Sequence, residues 1–152
     1  MARILVVDDD IARIKRFEAI FRNNPEVVPA RRPVFDGRLV NYRLTPDEVP
    51  HVVDIAVGYM GATELMARFT YDLVCLDHDL GAKKDGRLVA RWMAGWSMTG
   101  SRWHERIPGW RCPAKKVLIH SRNPIAAEEM AKIFLEMPYP PFIKLLPYQP
   151  AP

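Results

Sequence analysis

Carboxylates and imidazoles recur in three separated stretches of this chain: Val6-Val7-Asp8-Asp9-Asp10, Leu76-Asp77-His78-Asp79 and Ile119-His120-Ser121-Arg122-Asn123, with Lys144 as a candidate fourth contributor. Each stretch opens with a short apolar run of the kind that makes a buried strand, and each breaks into charge where that strand would end. Asp8, Asp9 and Asp77 offer hard oxygens that suit Mg2+ or Mn2+, with Asp79 as a further candidate ligand. Brought together without a cation, those carboxylates would repel one another strongly. His78 and His120 titrate near neutrality, so they can ligate a metal or move a proton as acid and base. Ser121, Arg122, Asn123 and Lys144 are the groups at hand to bind a phosphate.

Simpler roles compete for several of these residues. Asp9 or Asp10 would cap a following helix, because a side-chain oxygen there accepts from unsatisfied N–H groups of the first turn. Alternation along an extended segment sets His78 opposite Asp77 and Asp79, so it could face a helix as a structural histidine. Asp79 and Gly81 could serve only to shape a turn, and Ser121 and Asn123 could simply build a helix N-terminus, itself a place where anions bind.

The elements that must position these groups follow from periodicity. Arg3 to Val7 reads as a strand buried on both faces, and Ile11, Ile14, Phe17 and Phe21 mark an amphipathic helix after it. His51 to Val57 predicts a second strand, Gly61 to Phe69 a helix, Leu73 to Leu76 a third strand and Gly86 to Gly95 a helix. Lys116 to Ile119 predicts a fourth strand, Asn123-Pro124 opens a helix as cap and first-turn proline, and Phe142 to Leu146 can form a last strand. Prolines and turn signals mark insertions at about 29–50, where a small hairpin could form, and at 96–114; the C-terminal tail is Pro-rich. The order predicts one α/β domain over 1–152: a doubly wound, five-stranded parallel sheet of flavodoxin-like strand order, with helices on both faces and ligands at the carboxyl ends of the strands.

Bulk composition narrows the class. The chain has 152 residues, 49% hydrophobic, enough to bury a continuous core. No run approaches the ~18 apolar residues of a membrane span, and Met1-Ala2-Arg3-Ile4 leads into a strand, so a cytoplasmic protein with two free thiols, Cys75 and Cys112, is expected. The net charge is +4, yet residues 83–116 carry nine Lys or Arg against Asp85 and Glu105. That segment also holds Trp92, Trp96, Trp103 and Trp110. Rings interleaved with cations stack bases and neutralise phosphates, so Trp103 in particular is a candidate substrate contact on a lid. Alternatively, Trp92 and Trp96 lie on the core face of the third helix, and Trp103 and Trp110 form a satellite cluster.

Ile4 to Asp9 followed by a helix, together with Asp72-Leu73-Val74-Cys75-Leu76-Asp77, resembles the receiver domain of response regulators. The resemblance implies that Asp8 and Asp9 match a metal-binding pair, Asp77 an acceptor aspartate and Ser121 a hydroxyl at the fourth strand. Lys144 is the candidate for the receiver lysine, although Leu145 and Leu146 separate it from Pro147. The continuations His78-Asp79-Leu80-Gly81 and His120-Ser121-Arg122-Asn123-Pro124 depart from ordinary receivers and are similar to the cyclic-phosphate processing receiver-like family. That likeness implies metal-assisted hydrolysis of a cyclic phosphate on a nucleotide or RNA end. The rival expectations are a signalling domain phosphorylated on Asp77 and a non-catalytic module that binds cyclic nucleotides or a partner.

Overall fold

The computed structural model describes residues 3–16, 52–81, 85–99 and 102–147; the expected insertion at 29–50 and most of the Pro-rich tail lie outside them. Five strands form one parallel sheet: β1 (Arg3–Val7), β2 (Val52–Ala56), β3 (Tyr71–Asp77), β6 (Ala114–Ser121) and β7 (Phe142–Pro147), in the order β2-β1-β3-β6-β7. Helical residues 11–16 begin α1, and α2 (Tyr59–Arg68), α3 (Gly86–Met93) and α4 (Pro124–Leu135) supply the crossovers that parallel pairing requires. This is the flavodoxin-like order.

β1 lies inside the sheet, and its unbroken apolar run covers both faces. Leu5 and Val7 meet Val74, Leu76, Val117 and Ile119 on one side, where Met66 of α2, Val89 and Met93 of α3 and Met130 and Phe134 of α4 close the layer. Ile4 and Val6 join Val53, Ile55, Cys75 and Ile14 of α1 on the other. Among the described residues no helix is long and apolar enough to cross a membrane.

Residues 96–114 are not the irregular loop expected from their broken periodicity. They contain an antiparallel hairpin of β4 (Trp96–Thr99) and β5 (Arg102–Arg106), with a register shift between Ser97 and Met98 that obscures any alternation. α3 correspondingly ends before Trp96, which opens β4 and is not a helical partner of Trp92. The hairpin is anchored at the amino-terminal edge of the sheet. Arg106 Nη1 donates to the Glu136 carbonyl at the end of α4 (2.7 Å), and Trp110 Nε1 donates to the Met93 carbonyl at the end of α3 (2.9 Å). Trp110 also packs edge-on to Trp92, with centroids 5.3 Å apart.

The same edge carries a buried polar knot. Asp54, fully enclosed in β2, accepts from the Tyr71 hydroxyl at 2.6 Å and from Arg3 Nη1 at 3.0 Å, and the Arg3 guanidinium lies 3.7 Å from the centroid of the Phe69 ring. Burial raises the Asp54 pKa, with the Tyr71 hydrogen bond and Arg3 pulling against it. A hydrogen bond to a charged group is worth roughly 1.5–3 kcal/mol, so Tyr71→Phe should lower the unfolding free energy by about 2 kcal/mol in urea titration. Cation binding at the far end of the sheet should be unchanged.

Candidate functional site

Register brings the acidic and imidazole groups together. Val7 pairs with Leu76, so Asp8 and Asp77 stand at the same level one step further along, and Asp77 pairs with His120. Residues in one row across neighbouring strands face the same side, which places all three side chains at the carboxyl rim beside the switch point between β1 and β3. Asp8, Asp77 and His120 are all buried. Ligand atoms of Asp8, Asp9 and Asp77 lie within 4.8 Å of one another. Three hard oxygens at that spacing suit a divalent cation.

A cleft of about 580 Å³ opens over them, lined by Asp9, Asp10, Arg13, Asp77, His78, Asp79, Ser121, Arg122 and Asn123. Asp10 caps α1: its Oδ1 accepts from the Ala12 and Arg13 amides at 2.8 and 3.2 Å, bonds that lower its pKa. Asp8 and Asp9 are thereby left to the site. Asp79 lines the cleft but stands outside the triad, and its Oδ1 accepts from the Gly81 amide at 3.0 Å, tightening the turn. Gly81 has a φ of 67°, a conformation strained for residues with a side chain, and a Cβ there would press on Asp9 Oδ2, so glycine suits the turn that closes against the acids.

The two histidines occupy different places. β3 ends at Asp77, so strand alternation does not govern His78, which lines the cleft with its Nε2 3.4 Å from Asp85 Oδ2. Its backbone is pinned by Gly86, whose amide donates to the His78 carbonyl at 2.8 Å and which packs too closely on Asp77 and His78 to carry a Cβ. His120 stands behind the carboxylates, with Nδ1 3.8 Å from Asp77 Oδ1 and Nε2 3.8 Å from Asp8 Oδ2. It is not part of the cleft wall, which differs from its expected position as an acid or base facing substrate.

Ser121, Arg122 and Asn123 reach the cleft from the loop before α4. Ser121 Oγ accepts from the Asn123 amide at 3.0 Å, while Asn123 Oδ1 accepts from the Ile125 and Ala126 amides at 3.0 and 3.2 Å. Both thus shape the helix start as well as the cleft. Lys144 pairs with Leu118, two residues below the level of His120, and is exposed outside the lining. Leu146 holds the level at which a strand-end lysine would reach the acids. Trp103 belongs by its backbone to β5, in a hairpin anchored at the opposite edge, so a lid built on that segment is not observed; its side chain lies outside the described residues.

Arg13 completes the site, and the motifs gave it no role. Its Nε donates to Asp8 Oδ2 at 2.9 Å, and its Nη2 donates to Asp8 Oδ1 at 3.1 Å and to Asp77 Oδ2 at 2.9 Å. Asp9 and Asp10 lie 3.9 and 3.8 Å from the same guanidinium. One signal could have found it. With Asp10 as cap, Arg13 falls in the first turn of α1, where the helix dipole disfavours a cation unless acids surround it.

Electrostatics bear the marks of crowding. Burial raises the pKa of Asp8 against the pull of Arg13, and burial and then Asp8 raise that of Asp9. Asp77 is pushed up to about 7 by burial and by Asp8, which together outweigh its Arg13 contact. Burial opposes the Arg13 charge, yet the Asp8 hydrogen bonds and the neighbouring carboxylates raise its pKa. Burial and then Arg13 lower His120 to about 4.

Fold and site together define a receiver-like α/β domain. Similar solved structures include the receiver domain of Francisella response regulator 1452, with 14% identity and a TM-score of 0.54 over 97% of this chain and 84% of that one. Another is the Mn(2+)-bound form of response regulator Rcp1, with 17% identity and a TM-score of 0.53 over 93% and 81%. These identities establish likeness of fold alone. The model of the family described as Cyclic-phosphate processing Receiver domain matches residues 4–136, and the chain belongs to that family. No curated protein matches it.

The Asp77 shift gives stability a sign. Between the ordinary value of 3.8 and about 7, the folded protein holds a proton on Asp77 that the unfolded chain releases, so this carboxyl's contribution declines as pH rises through that window. His120 acts oppositely: its contribution is present above 6.5 and lost as pH falls toward about 4. Comparison with Asp77→Asn isolates the carboxyl. In cation-free buffer the variant should gain stability relative to wild type as pH climbs from about 4 to about 7, measured by urea denaturation, with no further gain above that window.

Proposed function

We propose that this domain hydrolyses a cyclic phosphate on a nucleotide or an RNA end with the help of Mg2+ or Mn2+ held by Asp8, Asp9 and Asp77. The observation that carries this reading is one opening lined by Asp9, Asp77, the His78 imidazole and Ser121-Arg122-Asn123, with the buried Asp8 clustered against the first two. The family is named for cyclic-phosphate processing, and the Mn(2+)-bound Rcp1 shares the fold. A divalent cation there supplies positive charge against the charge that develops on the phosphoryl oxygens.

The protein's own groups handle the rest. Arg122 and the loop before α4 receive the phosphate, with Ser121 and Asn123 holding that loop in place. His78, beside Asp85, accepts a proton from the attacking water as the new P–O bond forms. It returns the proton to the ring oxygen as that P–O bond breaks, leaving an acyclic phosphomonoester and a free hydroxyl. His120 packs 3.8 Å from both Asp8 and Asp77 and acts as a positioning residue on their buried side.

Phosphorylation of Asp77 is less favoured by the geometry: its side chain is 4% exposed, Oδ2 accepts from Arg13 and Oδ1 faces His120. The direct assay is incubation with 2′,3′-cyclic nucleotides and Mg2+ or Mn2+. Turnover is expected in the wild type, absent in Asp77→Ala and reduced about 100-fold or more in kcat by His78→Gln. Calorimetric binding without product would instead select the binding module, and acetyl phosphate labelling lost in Asp77→Asn would select the signalling domain.

A further inference from the structure

Arg13 bonds to two of the three carboxylates that would hold a cation. Both oxygens of Asp8 and one of Asp77 accept from its guanidinium, so an ion drawing a ligand from each of Asp8, Asp9 and Asp77 would compete with Arg13 for Asp8. A guanidinium left at that distance would face a dication at close range in a poorly solvated spot, which is strongly unfavourable. It therefore has to swing away. α1 fixes its backbone, and Arg13 already lines the cleft beside Ser121, Arg122 and Asn123, so the opening toward the phosphate loop is the direction available to it.

The geometry points to Arg13 as a phosphate-binding residue held in reserve: it neutralises Asp8 and Asp77 in the cation-free protein, and a divalent ion releases it to grip the phosphoryl oxygens of the ligand. The inference rests on the proposed phosphate chemistry of this cleft. A guanidinium suits the task because its planar fork binds two phosphate oxygens at once. Cation and phosphate binding then become coupled, since each favours the arrangement that the other needs.

Binding measurements separate this from a structural role. Mn2+ affinity is read from the electron paramagnetic resonance signal of free Mn2+, and affinity for a nucleoside 3′-monophosphate, which carries no ring to open, from calorimetry at saturating Mn2+. Arg13→Gln should bind Mn2+ about fivefold or more tighter than wild type and bind the nucleotide about tenfold more weakly. A side chain that merely shaped the pocket would weaken both or change neither when removed, and either result overturns the inference. Arg13→Lys, which keeps the charge beside the acids, covers the case in which the glutamine variant does not fold. It should show Mn2+ affinity near wild type and nucleotide affinity several-fold lower, because an ammonium cannot make the forked contact; unchanged nucleotide affinity in the lysine variant would contradict the inference. If wild type and both variants bind no Mn2+, the cation reading of the site fails and this inference with it. Mn2+ and nucleotide binding that are indifferent to Arg13 would leave that reading standing and remove this inference alone.

Discussion

Two buried carboxylates at the end of a parallel sheet repel one another, and in this protein the Arg13 guanidinium bridges them while Asp77 is still pushed up to about 7. Asp8 and Asp77 are brought level by the pairing of β1 with β3, a register determined by the apolar residues behind them and not by the acids. Packing thus forces like charges together, and the guanidinium that bridges them is the compensation. Removing one member of such a buried arrangement typically costs several kcal/mol, because the remaining charge is left without a partner.

The two ends of the sheet have separate duties. The carboxyl end gathers Asp8, Asp9, Asp77, His78 and the loop before α4. The amino end is closed by the Asp54-Tyr71-Arg3 knot and by the hairpin docked on the ends of α3 and α4. Several cations of the basic segment have structural partners. Arg87 pairs with Asp85 and Glu129, Arg106 holds the end of α4 and lies over Trp96, and Lys115 pairs with Asp72. These three serve local contacts, and among the described residues the cations that line the cleft, Arg13 and Arg122, lie outside that segment.

Much of this was readable from residue types alone. Apolar runs ending in charge gave β1, β3 and β6 and the site at their ends, and Asn123-Pro124 marked the start of α4 as cap and first-turn proline. The hairpin was hidden by its register shift and by Trp and Arg residues that pack on helix ends instead of alternating. His78 was ambiguous because pleat alternation stops at Asp77, and the depth of His120 depends on the register with Asp77, which no local pattern encodes. Lys144 was a candidate through the receiver likeness, lying in the expected last strand, but two residues along a strand displace a side chain by about 7 Å. Arg13 was missed because motif reading searches among acids for a metal and does not ask what balances them before it binds.

As proposed, Asp8, Asp9 and Asp77 would hold one divalent cation in exchange for the Arg13 guanidinium that bridges Asp8 and Asp77. The most direct measurement is the anomalous scattering of crystals grown with Mn2+. The account predicts a single strong peak within coordination distance of an oxygen from each of the three aspartates, with the Arg13 side chain turned away from Asp8 and toward the loop before α4. Crystals with no peak at the rim, or with Arg13 still bridging Asp8 and Asp77 beside a bound ion, would contradict it.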